Sequence, residues 1–590
     1  MKTSDYIAQF LADQGVTDTF VLTGGCIVHI IDSIAQNDRV RYIPVQHEQA
    51  GAMAADAYAR ITGNLGVALT TSGPGATNLL TGVCCSYYDS IPVLLITGQV
   101  PVSQLRRDSQ SRQIGFQETD VVSIFQSVTK YAKLIDDVRM IRYELEKAVH
   151  IAKSGRPGPV LLDICDDIQR AEINPDELES FSPPKIVASQ AALQAQVDQM
   201  VSLINQSARP VVILGGGIRL ANAVSLARLI IEKAKLPFTL TWAGMDYIPH
   251  DHGLYVGGFG VTSGRPGNFA VQNADLLIAI GTRLDTHEAG SNLKTFAREA
   301  KKVVVDIDPA EQEKYAPHGM PIDVLITADA RDVLDLVDAS LNKITVRDRT
   351  EWLSHIRNWK AKYPVCTDEH RRQPAWVNPY VFMDTLSRLC RDNAIIVTDC
   401  GSNLIWTMQG FAVRGEQRVI SAFNHSPMGY SLPASMGAAL ASPRRQTICI
   451  TGDGGLQINI QELATIQRHS IDVKIFVMNN HGHGIIQGTQ DNWLGGRHHA
   501  AHPDHGLPDP DCERIAHAYG IPTERIDGHH ELSAKISKVL GTKGPVLCNV
   551  NMLSGPQIAP KLLYGRPIED SDPLLPRDEF HANMLIKPIT

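Results

Sequence analysis

The chain reads TICITGDGGL from Thr447 to Leu456, where a short apolar run ends in a glycine-rich turn. Apolar side chains then recur at near-helical spacing, at Leu456, Ile460, Leu463 and Ile466. A second apolar run, 474–478, follows and ends at Asn479-Asn480. This order of strand, turn, helix and strand predicts two parallel strands joined by a crossover helix. The turn and the asparagines are then expected at the carboxyl ends of the strands, where open α/β sheets bind ligands.

Similar apolar runs, bounded by Gly, Pro or Asp, recur along the chain and predict parallel strands that are buried on both faces. They fall at 19–22, 41–45, 67–70, 93–97 and 160–163, at 211–214, 276–280, 303–307 and 324–327, and at 395–398, 447–450, 474–478 and 546–550. Ser182-Pro183-Pro184-Lys185 is typical of a linker. We therefore predict an α/β fold of three successive doubly wound parallel-sheet domains, at 1–182, 187–345 and 374–553. A C-terminal tail, 554–590, is expected to lie over a surface.

The composition argues against several classes of protein. With 590 residues and 43% hydrophobic side chains, the chain can form large cores, so disorder is excluded as its main state. Its formal net charge of −8 argues against nucleic acid as a principal partner, because phosphate binding favours a basic face. No apolar run reaches the ~18 residues that span a membrane, and the N-terminus has no signal or transit pattern. Ten scattered Cys are typical of reduced thiols, so we expect a cytoplasmic protein.

The turn Gly452-Asp453-Gly454-Gly455 has the composition of a phosphate and metal site. Its glycines allow backbone N–H groups to approach phosphate oxygens at a helix N-terminus. A carboxylate from Asp453, an amide oxygen from Asn480 and a backbone carbonyl are hard ligands that suit Mg²⁺. A Gly-Asp-Gly turn is also common without a ligand. The asparagine pair one helix later favours the functional interpretation.

These residues resemble the thiamine-diphosphate signature of the superfamily of 2-oxo acid decarboxylases and acetolactate synthases. The resemblance implies that Asp453 and Asn480 ligate Mg²⁺ through their side chains and Gly482 through its carbonyl. It also implies that the glycines of 452–455 and a second turn, Gly401-Ser402-Asn403, contact the diphosphate. Met428, within the matching stretch 426–434, corresponds to the apolar side chain that bends the cofactor into its V shape. An ordinary core position is the alternative for this Met.

The first third of the chain matches the same family. The segment 45–60 is similar to the family's pyrimidine-binding helix, which implies that the Glu48 carboxylate hydrogen-bonds the pyrimidine and promotes loss of the cofactor's C2 proton. Taken alone, Glu48 would be a helix N-terminal charge favoured by the dipole. By resemblance, Gly73, Pro74 and Asn78 belong to a loop over the thiazolium, and Gln117 points into the active site.

The central segment resembles the flavin domain of acetolactate synthases. A strand at 211–214 runs into Gly215-Gly216-Gly217-Ile218-Arg219, which lacks GxGxxG spacing and is weak evidence by itself. The resemblance implies that Gly215, Gly216, Gly217 and Arg219 contact FAD, together with Gly281, Arg283, Asp306 and Asp308. Related decarboxylases keep this fold without flavin. If FAD binds, it is expected to be structural, since carboligation needs no net redox step.

Several positions bear on the substrate. Biosynthetic acetolactate synthases commonly carry a Trp near the position at which this chain has Thr489. His29 lies in a loop in which members of the family usually carry a Pro nearby. We therefore count His29 among the catalytic candidates, as a hydrogen-bonding group at the substrate face. Lys130 matches a position near the substrate entrance, with an ordinary exposed lysine as the alternative. Six histidines between 481 and 505 predict a polar rim more than a metal site, because no Cys or carboxylate supports them.

The resemblance implies a thiamine-diphosphate carboligase that decarboxylates pyruvate or another 2-oxo acid and ligates the product to a carbonyl acceptor. The alternative is a C–C bond hydrolase or decarboxylase that acts on a diketone or a 2-oxo acid with the same cofactor. Two further hypotheses are a flavin-dependent oxidase and a catalytically silent paralogue. The presence of Glu48, Asp453 and Asn480 argues against the silent paralogue. In this family one active centre draws residues from two subunits, so we expect at least a homodimer, and a homotetramer.

Overall fold

A computed structural model describes residues 1–184, 190–373, 375–555 and 557–589. The predicted linker at 182–185 lies partly outside these residues. The described chain forms three sheets of six, five and six strands, and every pairing between their strands is parallel. The predicted fold class, with three successive parallel-sheet α/β domains, is thus confirmed.

The first sheet has the strand order β2-β1-β3-β4-β6-β5. Its strands are β1 (Asp18–Leu22), β2 (Arg41–Pro44), β3 (Gly66–Thr70), β4 (Val93–Gln99), β5 (Tyr131–Ile135) and β6 (Val160–Cys165). The helices of this domain are α1 (Thr3–Asp13), α2 (Val28–Ala35), α3 (Glu48–Thr62), α4 (Pro74–Thr77), α5 (Leu80–Asp89), α6 (Val121–Phe125), α7 (Ile141–Lys153) and α8 (Asp166–Arg170).

The second sheet has the order β11-β10-β9-β7-β8. Its strands are β7 (Pro210–Leu214), β8 (Phe238–Leu240), β9 (Leu276–Ile280), β10 (Lys301–Asp306) and β11 (Val324–Thr327). The helices here are α9 (Gln190–Gln206), α10 (Gly217–Leu220), α11 (Val224–Ala234), α12 (Arg265–Gln272), α13 (Thr286–Ala289), α14 (Pro309–Glu313) and α15 (Ala330–Ala339), and then α16 (Thr350–Lys362) and α17 (Asp368–Arg372) lead to the third domain.

The third sheet has the order β13-β12-β14-β15-β17-β16. Its strands are β12 (Ile395–Thr398), β13 (Arg418–Ile420), β14 (Thr447–Gly452), β15 (Val473–Asn479), β16 (Thr523–Ile526) and β17 (Val546–Asn551). The helices are α18 (Pro379–Leu389), α19 (Ser402–Gly410), α20 (Ser431–Ala441), α21 (Asp453–Ile458), α22 (Glu462–Arg468), α23 (Gly484–Leu494), α24 (Cys512–Ala518) and α25 (His529–Gly541), with α26 (Arg577–Ala582) in the tail.

The first and third domains share a core, and small residues make this possible. Helix α3 packs on α20, and a Cβ at Gly437 would lie only 2.0 Å from the carbonyl oxygen of Ala54. Buried side chains of both domains, such as Phe20 and Leu456, belong to one apolar cluster. The first and third domains therefore contact each other directly, and α3 of the first domain lies at their interface.

The tail packs on the central domain, and its contacts are buried. Phe580 and Ile568 join the apolar cluster of that domain. Glu569 is 1% exposed and accepts a hydrogen bond from Gln272 of α12. Most of the tail thus covers the central domain, while the segment 557–560 contacts α18 and α19 of the third domain.

Two composition-based expectations can be compared with the structure. All ten cysteines lie within the described ranges, and each is a free thiol there. Across the residues that the structure describes, no helix is both long enough and apolar enough to cross a membrane.

Candidate active site

The carboxyl ends of β14 and β15 bring Asp453 and Gly482 together. The Asp453 carboxylate accepts hydrogen bonds from the backbone N–H groups of Gly454 and Gly482, each at 2.8 Å. Burial raises the pKa of Asp453, and these two donors offset only part of that effect. A buried carboxylate with two neutral donors is a favourable ligand for a cation.

Asn480 follows β15 and lies 5% exposed beside this carboxylate's strand end. Its side-chain amide Nδ2 donates to the carbonyl of Gly555 at 3.3 Å, so one end of the amide is bound by the chain that leaves β17. A small cavity of about 20 Å³ is lined by Asp453, Gly482 and the segment 507–510, among others. This volume is enough for one small ion or one water.

The glycines of 452–455 are crowded from several sides. A Cβ at Gly452 would lie 2.9 Å from Nδ2 of Asn403, and one at Gly454 would lie 3.0 Å from Cε of Met428. A Cβ at Gly455 would lie 3.1 Å from the Asp399 carboxyl group. The structure therefore places the two predicted phosphate turns and Met428 against each other.

Ser402 gives the clearest sign that this turn is built for an anion. Its hydroxyl Oγ is buried and has no hydrogen-bond partner in the described structure. It stands at the N-terminus of α19, directly after Gly401, whose φ of +74° favours glycine. A buried polar group without a partner is costly in a folded protein. A diphosphate bound here would supply the acceptor, so the residues fit that group.

Asp399 organises the site, although the sequence analysis did not single it out. Its carboxylate accepts hydrogen bonds from the backbone N–H groups of Cys400, Gly429 and Ser431 at 2.9–3.1 Å. It thereby joins the end of β12 to the turn that carries Met428. Burial raises its pKa, against the effect of these donors. A buried Asp between an apolar strand and a glycine turn was the available sequence signal.

A second cluster lies at the carboxyl edge of the first sheet. The Glu48 carboxylate is 6% exposed and accepts a hydrogen bond from Nδ2 of Asn78 at 2.9 Å. Gln117 has a φ of +63°, and its Cβ lies 3.0 Å from the position of a Cβ on Gly73. Pro74 begins α4 immediately after this contact. The structure thus assembles the first-domain residues that were predicted to contact the cofactor.

Within the described ranges, no direct hydrogen bond joins the two clusters, and in particular none joins Glu48 or Gln117 to Asp453. The Nε2 atom of His29 lies 3.5 Å from the Asp166 carboxylate. The Thr489 hydroxyl donates to the carbonyl of Ile485 within α23 at 3.1 Å.

Lys130 has a structural role that the sequence did not indicate. Its ammonium group donates to the carbonyls of Ile151 and Ser154 at the end of α7. Burial lowers the pKa of Lys130 to about 8. Since this side chain is half-buried and caps a helix, the exposed-lysine alternative is wrong, while the substrate-access interpretation stays a prediction.

Several of the six histidines between 481 and 505 contact a neighbouring carboxylate. His481 contacts Asp509 at 2.8 Å, and His498 contacts Asp491 at 2.6 Å. Over 1–184, 190–373, 375–555 and 557–589, no group of three or more His, Cys, Asp and Glu side chains is placed to hold a metal ion. The predicted Mg²⁺ site differs from such a group because it has a single carboxylate.

A large cavity of about 830 Å³ lies where the three domains meet, within the roughly 300–1,000 Å³ of small-molecule sites. The central domain contributes the predicted flavin residues Gly216, Gly217, Arg219, Gly281, Arg283 and Asp306. The outer domains contribute walls that sequence reasoning missed, including Arg60, Arg156 and Phe423. No local motif marks these residues, because they meet the cavity only through domain packing.

Close backbone approach shapes the floor of this cavity. A Cβ at Gly215 would lie 2.3 Å from the carbonyl oxygen of Gly281, and one at Gly217 would lie 2.7 Å from Cα of Gly281. Asp308 caps α14 and pairs with Arg156 at 2.9 Å. The glycines and the volume fit a flavin dinucleotide, while Asp308 reaches the cavity through its arginine partner.

Comparison with known protein families assigns the class. The residues 1–124, 197–337 and 399–550 match, in this order, the N-terminal thiamine pyrophosphate binding domain, the central domain and the C-terminal thiamine pyrophosphate binding domain of thiamine pyrophosphate enzymes. The fold and both clusters therefore belong to a thiamine-diphosphate-dependent enzyme.

Individual relatives indicate the family within this class of enzymes. The acetolactate synthase large subunit of Parasynechococcus marenigrum (strain WH8102) is 35% identical over 94% of this chain and 88% of its own length. The acetolactate synthase isozyme 1 large subunit of Escherichia coli (strain K12) is 33% identical over 95% and 96%. A probable acetolactate synthase large subunit of Methanocaldococcus jannaschii is 34% identical over 93% and 92%. The chain belongs to the acetolactate synthase-like family of thiamine-diphosphate enzymes.

Proposed function

We propose that this enzyme is a carboligase that decarboxylates pyruvate or another 2-oxo acid and joins the remaining acyl unit to a carbonyl acceptor. The observation that carries the proposal is the pairing of two intact clusters, Glu48 with Asn78 and Asp453 with Gly482, in one acetolactate synthase-like chain. In the overall reaction, the carboxyl carbon leaves as CO₂. The acyl carbon forms a bond to the acceptor carbonyl carbon, and the acceptor oxygen takes up a proton.

Each cluster supplies a different part of the chemistry. Asp453, Asn480 and the carbonyl of Gly482 would hold Mg²⁺, and the turns at 401–403 and 452–455 would hold the diphosphate. Bound thiamine diphosphate supplies a carbon nucleophile and an electron sink for decarboxylation. The Glu48 carboxylate would bind the pyrimidine and hold a proton there, while Asn78 fixes its direction. Met428 packs against the diphosphate turn and would support the bent cofactor.

An active site assembled from two chains would bring the two kinds of cluster together. Because each chain presents Glu48 and Asp453 on different clusters, we propose that a homodimer completes each active site, and that a homotetramer forms. FAD would occupy the large interdomain cavity in a structural role. A cytoplasmic location remains a prediction, since a relative from Nicotiana tabacum is named as chloroplastic.

Product analysis tests the proposal. We expect purified enzyme with Mg²⁺ and thiamine diphosphate to release CO₂ from a 2-oxo acid and to form a ligation product with an acceptor from a carbonyl panel, detected by mass spectrometry. Glu48→Gln should abolish both while it retains the cofactor. Cleavage of a diketone without ligation would favour the hydrolase alternative, and consumption of O₂ would favour an oxidase.

A further inference from the structure

The peptide groups just before Glu48 are bound by a side chain from another domain. Glu462, the first residue of α22, is completely buried. Its Oε1 atom accepts hydrogen bonds from the backbone N–H groups of Gln46 at 2.9 Å and His47 at 3.0 Å. These two N–H groups lie after β2 has ended and before α3 begins, so neither regular element supplies their acceptor.

Neighbours of Glu462 grip the same junction. The Thr465 hydroxyl donates to the carbonyl of Pro44 at 3.2 Å, and it also contacts Oε2 of Glu462 at 3.1 Å. The Asn459 side chain accepts from Gln49 at 3.4 Å and donates to the carbonyl of Gly429 at 2.8 Å. The segment 459–465 therefore binds the start of α3 on one side and the Met428-Gly429 turn on the other.

The position of the Glu48 carboxylate depends on this junction. Glu48 directly follows His47, and its side chain has one described hydrogen-bond donor, Asn78. A rotation of the peptide groups at Gln46 and His47 would redirect the first turn of α3. A displacement of about 1 Å in a reacting group can cost about 100-fold in rate. The helix start thus needs a fixed acceptor, and Glu462 provides it.

We propose that Glu462 is a positioning residue, which fixes the peptide groups of Gln46 and His47 and thereby aims the Glu48 carboxylate at the cofactor. This inference rests on the proposed function, in which Glu48 acts on the cofactor. Helix α21 begins at Asp453, and α22, the next helix, begins at Glu462. One stretch of chain therefore carries both the predicted metal ligand and the acceptor for the start of α3.

Three variants separate positioning from general damage. Glu462→Gln keeps the shape and an acceptor oxygen for both N–H groups, whereas Glu462→Met keeps the volume and removes the acceptor. Glu462→Asp is a milder lesion that serves if the Met variant does not fold. The matched control is Asp275→Ala, because Asp275 also accepts two consecutive backbone N–H groups, from Ala208 at 2.8 Å and Arg209 at 2.9 Å, but within the central domain.

Two measurements report on positioning. The first is amide hydrogen exchange of the peptide 41–53 in the apoprotein, followed by mass spectrometry. The second is C2–H exchange of bound thiamine diphosphate by NMR, with the cofactor's Kd measured by calorimetry. For Glu462→Met we expect loss of amide protection at 46–47, a fall of at least about tenfold in C2–H exchange, and a Kd within about threefold of the parent. Glu462→Gln and Asp275→Ala should keep parental C2–H exchange.

The outcomes separate this inference from the function on which it rests. Unchanged C2–H exchange in folded, cofactor-bound Glu462→Met, or in Glu462→Asp where Met does not fold, overturns the positioning role. A Gln variant as impaired as the Met variant also overturns it, since the acceptor is then not what matters. Glu48→Gln is measured in parallel. If it too leaves C2–H exchange unchanged, the assigned role of Glu48 fails, and the positioning role fails with it.

Discussion

The interdomain cavity and the diphosphate site differ in how their polar groups are paired within the protein. Several charges around the large cavity are paired within the protein: Asp246 contacts Arg219 at 2.7 Å and Arg418 at 2.8 Å, and Arg156 contacts Asp308 at 2.9 Å. At the diphosphate site, Ser402 has a buried hydroxyl without a described partner, and the Asp453 carboxylate has only backbone donors.

From this difference we expect the stability of the diphosphate site to depend more strongly on its ligand than that of the large cavity. Since several wall charges of the large cavity already have partners in the protein, we expect a flavin to enter a space that exists before it binds. Unsatisfied groups at the diphosphate site raise the free energy of the apoprotein, and bound metal and diphosphate would recover it.

Removing the metal ligand should have the largest effect. Asp453→Ala should weaken binding of thiamine diphosphate in the presence of Mg²⁺ by at least about 100-fold, as measured by calorimetry. Asp504→Ala, at an exposed carboxylate of the same domain, should bind normally. Parental affinity in Asp453→Ala, or cofactor retained after exhaustive EDTA dialysis, would refute the metal assignment.

The large cavity should respond to a lesion in its floor. Gly281 has a φ of +62°, and a Cβ there would lie 2.8 Å from Cα of Gly217. Gly281→Ala should therefore lower the free energy of unfolding by about 3 kcal/mol and reduce the yellow flavin content of the purified protein. Gly253→Ala, where a Cβ meets open space, is the control. Full activity in a colourless parental protein would show that the cavity needs no flavin.

A carboxyl group at the cavity should make stability depend on pH. Burial, with Asp285 nearby, raises the pKa of Glu288 to about 7. Its folded pKa lies above the unfolded value, so the folded state binds the proton more tightly and gains stability as the pH falls from about 8 towards 5. Because Glu288 borders the cavity, we expect about 2 kcal/mol from this group. Chemical unfolding of Glu288→Gln should show a correspondingly smaller change, and an unaltered pH profile would contradict this prediction.

The smallest effects are expected at the substrate face. Thr489→Trp should favour small 2-oxo acids over bulky acceptors, because the ring fills volume on α23. His29→Ala should weaken a polar acceptor's binding by a few-fold, about 1 kcal/mol for one hydrogen bond. Both variants should keep CO₂ release from the 2-oxo acid. The acceptor panel checks this, and loss of decarboxylation in a folded, cofactor-bound variant would contradict the assigned roles.

Thirteen of the described strands coincide with an apolar run in the sequence, whereas β5, β8, β13 and β16 were not predicted. All four lie at the edge of a sheet in the described strand order. An edge strand is short or partly exposed, as in β5, where four of five residues are not fully buried. It therefore lacks the continuous apolar run that marks a central parallel strand.

Local patterns and tertiary contacts determined different parts of this protein. Apolar runs and glycine turns are local patterns, because strand burial and the close approach of phosphate each require a residue type at a fixed place. These patterns were enough to predict the three parallel-sheet domains and the turn around Asp453. Glu462, Asp399 and the walls of the large cavity act across tens to hundreds of residues, as in the contact between Glu462 and Gln46. Only the packing of the outer domains decides which distant donor a buried carboxylate meets, because hydrogen bonding depends on atomic position, which no local sequence pattern encodes.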